Sequence, residues 1–377
     1  MSAGAEVAGS SSTNKRTAAG ARVSWALMTL AACLLGGEIA ARLDDALFHG
    51  VPFFANPTDD DLTTLDWFGR RGRAHGQFGK WQLNSLGFRG AEITVARTPG
   101  CARIVVMGAS ETFGYRESPG HEFPNLLAQR LAGRGCVEVV NAAVVGMTLG
   151  SMQPYWTHWV ARLHPDVVFI YPSPLFYLEY PAPQQAAAAS FPPASSSVPD
   201  APLDHPFESR FINRLRAVAG AAVPQWLTMC RVKRQVRAKL AALPARAEID
   251  SPPAEGLAAF RRDLDGLVET IRDSGARVVL LTHAERASWP IERRDLLDLW
   301  ASKVFWPHAA LPVLVEFDRA ANVIIGETAR REAVQLIDAA AALNGRFDYF
   351  GDLVHFNDRG AEIMADLIAA QARIPGP

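Results

Sequence analysis

Short runs of aliphatic and β-branched residues recur along the chain, and helical apolar spacing fills the intervals between them. Arg103 to Met107 (RIVVM), ended by Gly108, reads as a buried strand. Val137 to Val140 (VEVV), Asp166 to Tyr171 (DVVFIY), Arg277 to Leu281 (RVVLL) and Val334 to Ile337 (VQLI) read the same way. Helical spacing covers Pro124 to Leu131, Thr148 to Leu163 with Trp156 and Trp159, 257–273 and 317–332. In 257–273, Leu257, Phe260, Leu264, Leu267, Val268 and Ile271 share one face. Asn357 is placed to cap a last helix over 358–372, with Ile363, Met364, Leu367 and Ile368 turned inward. Strands alternating with helices predict a three-layer α/β/α sandwich around a parallel, flavodoxin-like five-stranded sheet. The site of such a sheet lies at the carboxyl ends of its strands.

Three stretches fall outside this alternation. Residues 181–206, rich in Pro, Ala and Ser, read as a mobile loop, and 207–246 read as a helical insertion. The latter carries nine Lys/Arg and one acid, Glu208. The whole insertion spans 181–255. Residues 44–80 are irregular and predict a linker, so the folded domain is expected over 81–377.

At the N-terminus, 1–21 is a Ser-, Ala- and Gly-rich leader expected to be disordered. An apolar run from Val23 to Gly37 follows, broken by Glu38 and resumed as IAARL. Counted over 22–43 it reaches the ~20 residues of a membrane span. Lys15, Arg16 and Arg22 precede it, which places the leader in the cytoplasm and the remainder outside. Three readings compete for 22–43: an uncleaved anchor, a signal cleaved near Ala40-Ala41, and a lipoprotein box ending at Cys33. All three export the folded domain.

Composition removes some functions. Basic and acidic residues nearly cancel, 38 against 39, and no basic run interleaved with aromatics suggests a nucleic-acid groove. None of Cys33, Cys101, Cys136 and Cys230 forms a CxxC pair, and His283, His308 and His355 are too scattered for a metal motif, so neither metal nor cofactor is expected. Cys101 and Cys136 stand just before the first and second strands. Neighbouring parallel strands would bring them within bridging distance at one sheet edge, and a disulfide is expected.

The chemistry gathers where strands end. Gly108-Ala109-Ser110-Glu111-Thr112-Phe113-Gly114 puts a serine at a tight turn from strand into helix. Thr112 stands where the α/β-hydrolase elbow needs Gly, and no P-loop Lys is present. By itself Ser110 is as well explained as a helix cap. Asp352-Leu353-Val354-His355 follows the fifth strand, and a three-residue separation lets the carboxylate orient the imidazole while its other nitrogen faces a serine. Gly146, after the second strand, can offer a backbone N–H to an oxyanion.

Together these segments resemble the SGNH, or GDSL, hydrolase family, over most of 81–372. Asn84-Ser85-Leu86-Gly87-Phe88-Arg89-Gly90 is similar to a segment preceding the domain in membrane-anchored bacterial members. The resemblance implies Ser110 as nucleophile, His355 as base, Asp352 as its partner, and the amides of Ser110 and Gly146 as an oxyanion hole. It implies an ester hydrolase in the bacterial inner membrane, its domain in the periplasm or outside the cell, acting on an acylated small molecule or glycan. Two departures stand out. Ala109 replaces the usual Asp or Gly, and Tyr171-Pro172-Ser173-Pro174-Leu175-Phe176 lacks the usual oxyanion Asn, leaving Ser173 as a third donor. The same triad also fits acyl transfer to a sugar, and the absent Asn fits a non-catalytic glycan-binding or polysaccharide-assembly protein.

Overall fold

A computed structural model describes residues 11–56, 58–179, 207–221 and 223–374. The apolar runs form one parallel sheet of β1 (Ala102–Gly108), β2 (Val137–Asn141), β3 (Val167–Tyr171), β4 (Arg277–Leu281) and β5 (Gln335–Ile337). Their spatial order is β2-β1-β3-β4-β5, the flavodoxin-like order expected. Every residue of β1 and β3 is buried, because helices cover both faces. The first apolar layer contains side chains of α4 (Leu149–Tyr155), α7 (Ala254–Asp273) and α8 (Leu311–Arg331). The second is filled from α3 (Phe123–Leu131) and α9 (Asp358–Gln371), whose apolar side chains share one cluster with Ile104, Val106, Val167 and Phe169. The Asn357 side chain accepts from the Gly360 amide and so caps α9.

The helix expected over 148–163 is one helical path with a changed pitch. Pro154 lies inside α4, and the turn widens over Trp156–Val160 before tightening over Ala161–Leu163. Proline has no N–H to give the regular ladder. The helix expected over 317–332 begins earlier, at Leu311, with a proline in its first turn.

The described residues divide into two compact units, 58–179 with 224–374, and 11–56 with 207–221 and 223. The linker expected over 44–80 is therefore corrected, since the α/β unit begins at Thr58. Two hairpins open it: Thr63–Asp66 with Gly69–Gly72, and Gln77–Phe78 with Trp81–Gln82. These strands are too short and too polar to show alternation. What fixes the first is Asp66, which accepts from the Trp67 amide in the turn and pairs with Arg71 across it.

The insertion is also not one body. Residues 180–206, where the mobile loop was expected, lie outside the described residues. Helix α5 (Arg210–Ala221) belongs to the smaller unit, and α6 (Gln225–Ala242) to the larger. Two of the basic residues of α6 are used on the α/β unit itself. Lys233 lies over the Trp300 ring, and Lys239 donates to the Val304 carbonyl.

In the smaller unit α1 runs Ser11–His49, so 11–21, expected to be disordered, continues the helix. Its alanines are strong helix formers. Within it, Arg22–His49 is long and apolar enough to cross a membrane, with mean hydropathy 1.6. No other such helix occurs among the described residues.

Cys101 and Cys136 are joined by a disulfide, Cα atoms 4.5 Å apart, at the amino ends of the paired strands β1 and β2. It closes a loop containing the Ser110 turn. Replacing both cysteines by serine is expected to lower unfolding free energy by about 3–4 kcal/mol on the chain-entropy estimate. A denaturant midpoint that does not move would show that the sheet alone holds these ends.

Candidate active site

At the carboxyl end of β1 the chain turns from Gly108 into α2 (Ser110–Phe113), a single turn. The turn requires glycine, because a Cβ on Gly108 would lie 2.0 Å from Thr112 Oγ1 and 2.9 Å from the Tyr171 carbonyl. Thr112, which distinguishes this turn from the α/β-hydrolase elbow, thus packs directly on Gly108. The Ala109 side chain is fully buried.

The Ser110 Oγ lies 2.8 Å from His355 Nε2, and His355 Nδ1 lies 2.7 Å from Asp352 Oδ1. The same Asp352 oxygen accepts the His355 amide at 3.0 Å, so one carboxylate fixes the residue's backbone and ring together. Its other oxygen accepts from Arg116 Nε at 2.9 Å. Burial opposes charge on Asp352, but the His355 hydrogen bonds and Arg116 outweigh it and hold the carboxyl far below its ordinary range. The Tyr115 ring packs 5.5 Å from the imidazole, and Trp81 stacks behind Tyr115 at 4.8 Å.

Gly146 sits in the loop after β2, in the left-handed region at φ 75°. A Cβ there would lie 3.4 Å from Arg70 Nη1, so a guanidinium stands beside this glycine. Ser173, expected as a further oxyanion donor, is differently engaged. Its Oγ donates to Glu111 Oε2 at 2.8 Å, and a hydroxyl has one proton to give.

Glu111 was not anticipated from the sequence. It is 4% exposed, and its Oε2 lies 3.3 Å from Ser110 Oγ, while Oε1 lies 3.5 Å from His283 Nε2. His283 Nδ1 bonds Asp318 Oδ1 at 2.5 Å, and Asn322 bonds both Asp318 and the His283 backbone. Burial opposes charge on His283, yet Asp318 and Glu111 prevail and raise its pKa to about 10, so it is an imidazolium. Burial likewise opposes charge on Glu111, and His283 with His355 keeps its carboxyl ionised by lowering its pKa. His283 follows β4 on the same sheet edge as Ser110, and that position was the available sequence signal.

The Asn84–Gly90 segment acts through Arg89. Asn84 Oδ1 accepts from the Leu86 and Phe88 amides, and its Nδ2 donates to the Ala91 carbonyl, shaping the turn. Arg89 is buried and donates to the Phe113 and Gly114 carbonyls, both at 2.8 Å, capping the end of α2. Its other guanidinium nitrogen pairs with buried Glu122. No group of acids, histidines and cysteines among the described residues could hold a metal.

No family model matches the chain, and no curated protein matches it in sequence. Solved structures do match. A GDSL-like lipase from Bacteroides thetaiotaomicron is 13% identical over 71% of this chain and 86% of its own, with TM-score 0.38. A lipase/acylhydrolase from Enterococcus faecalis is 16% identical over 73% and 98%, with TM-score 0.41. An acetylxylan esterase from Geobacillus stearothermophilus is 13% identical over 73% and 97%, with TM-score 0.41.

Two outcomes test this local structure. Arg89→Met is expected to cost about 3–5 kcal/mol, because it leaves the Glu122 carboxylate buried without its partner. Equal denaturant midpoints for variant and parent would refute that role. The second concerns Glu117, a carboxyl that burial pushes up to about 8. In the unfolded chain it titrates near 4.5. Between these values the folded state keeps a proton the unfolded state has lost, so stability falls as pH rises through that window, by up to about 1.4 kcal/mol per unit. Glu117→Gln removes this fall, and its unfolding free energy relative to the parent should improve from pH 5 to pH 9.

Proposed function

We propose that this chain is an SGNH-type serine ester hydrolase, held at a membrane by α1, with its α/β unit outside the cytoplasm. One observation carries the chemistry: serine, imidazole and carboxylate stand in hydrogen-bonded series at 2.8 and 2.7 Å. In this reading His355 Nε2 takes the Ser110 proton as Oγ attacks the ester carbonyl. The tetrahedral oxyanion is met by the amides of Ser110 and Gly146. Collapse expels the alcohol, which receives that proton from His355 and leaves an acyl-serine. Water, deprotonated by the same imidazole, then adds to the acyl carbon and releases the acid and Ser110. Asp352 holds the reactive tautomer, and Arg116 holds Asp352.

The favoured substrate is an O-acetyl or related ester on an exported or cell-surface glycan, which an exported site would meet. Two features support export: the basic leader before the apolar helix, and a disulfide of the kind that persists in oxidising compartments. With a sugar hydroxyl entering in place of water, the same acyl-serine would make the chain an acyltransferase. A second reading, a glycan-binding or polysaccharide-assembly protein without turnover, draws support from Ser173. Its proton is held by Glu111, where the family supplies an asparagine donor, and losing one such donor costs about 100-fold or more in rate.

A fluorophosphonate probe separates the readings. The purified chain is expected to label at Ser110, and Ser110→Ala, folded by circular dichroism, is expected not to. Hydrolysis of p-nitrophenyl acetate should fall at least about 1,000-fold in Ser110→Ala and about 10,000-fold in Asp352→Asn, the latter from loss of the reactive tautomer. Labelling that survives Ser110→Ala refutes the nucleophile. A folded parent that neither labels nor hydrolyses selects the binding reading. A periplasm-dependent reporter fused after Pro377 is expected to be active.

A further inference from the structure

The smaller unit holds a second amphipathic element that the esterase reading does not use. Glu38 interrupts the apolar run of α1, and it receives the start of α5. Ser209 Oγ and the Arg210 and Phe211 amides donate to its carboxylate, and Arg42 Nε closes the set at 2.6 Å. Three donors therefore meet the acid at the amino end of α5, and they fix where α5 starts relative to α1. The contact is close. A Cβ on Gly37 would lie 2.7 Å from the Phe211 ring, so glycine is needed for the ring to reach the α1 backbone.

Two of the three arginines of α5 are paired with acids of α1. Arg210 pairs with Asp45, and Arg214 with both Asp44 and Asp45. Spacing of three residues places Ile212, Leu215 and Val218 on another side. They are 37%, 47% and 72% exposed, and Phe207 just before the helix is 68% exposed. The most apolar 18-residue stretch of the α1 span has no residue buried within the protein, so these side chains continue an apolar surface that already needs a lipid solvent.

We propose that α5 is an interfacial helix, lying in the headgroup region where α1 leaves the bilayer, with Ile212, Leu215 and Val218 inserted among the acyl chains. The proposal rests on reading α1 as a membrane span. Burial of about 5–10 Å is usual for such helices. Of the three arginines of α5, Arg210 and Arg214 pair with Asp44 and Asp45 and Arg216 donates to Asn213, so apolar contact drives insertion and anionic lipid is not required. The partner is thus a lipid surface, with phosphatidylcholine as good as an anionic mixture.

The test uses the full chain in vesicles, with exposed Cys33 and Cys230 replaced by serine and the disulfide kept. Single cysteines at Leu215→Cys, Val218→Cys, Asn213→Cys and Leu30→Cys carry an environment-sensitive fluorophore. Shallow and deep spin-labelled lipids are the quenchers. In phosphatidylcholine, labels at 215 and 218 are expected to shift to the blue and lose emission to the shallow quencher. The label at 213, on the opposite side of α5, should do neither, and the label at 30 should respond to the deep quencher. Quenching at 30 but not at 215 and 218 leaves the span standing and overturns the proposal. No quenching at 30 removes the span, and the proposal with it. Quenching at 215 and 218 only when phosphatidylglycerol is added overturns apolar insertion. Energy transfer between labels at 218 on different copies, without lipid quenching, assigns the face to self-association instead.

Discussion

A single helical turn cannot hold its own shape in water, because fixing its first hydrogen bond costs more entropy than the bond returns. Ser110 begins such a turn, four residues long, so its direction is imposed from outside. Three groups impose it. Gly108 and Thr112 interlock beneath it, Asn141 Nδ2 donates to the Thr112 carbonyl, and Arg89 ties the Phe113 and Gly114 carbonyls at its end. Arg89 is in turn tied back to the sheet, since its amide donates to the Asn141 carbonyl. Removing either side chain frees carbonyls of the turn that carries the serine hydroxyl, while the sheet beneath stays paired.

The second constraint is electrostatic. His355 lies between two carboxylates, Asp352 bonded to its Nδ1 and Glu111 near the serine on its other side. Positive charge gained by the imidazole falls between them, where the low dielectric strengthens the attraction. Glu111 would also oppose negative charge on the serine oxygen, and the His283 imidazolium behind it offsets that penalty. This arrangement explains how an acid can lie one residue from Ser110, buried, without being neutral. Burial alone would protonate it, and an adjacent cation prevents that.

Much of this was legible in the sequence because it is local. Five β-branched runs located five strands, and Gly, Ser, Asp and His placed just past their ends located the serine and imidazole that the fold brings together. The cysteine pair followed from strand pairing and offset. What was hidden depends on distant partners or on short elements. The hairpins of 63–82 have strands of two to four residues, too brief for periodicity. Arg89 stands 24 residues from the carbonyl it binds, and Asp318 lies on α8, 35 residues beyond the His283 it holds. The basic insertion looked uniform because composition does not say which charges find partners, and here Arg210 and Arg214 of α5 meet aspartates of α1.

Ser110 and His355 are separated by 245 residues, and all five sheet strands are completed before His355 appears. Synthesis runs from the amino end. Ser110 and the Arg89 that ties its turn are therefore both made before the imidazole. A nascent chain carries the serine hydroxyl without its imidazole, and the two meet only when α9 packs beside α3 and brings His355 into place. Assembly order thus completes the hydrogen-bonded series last, after the sheet that carries it is built.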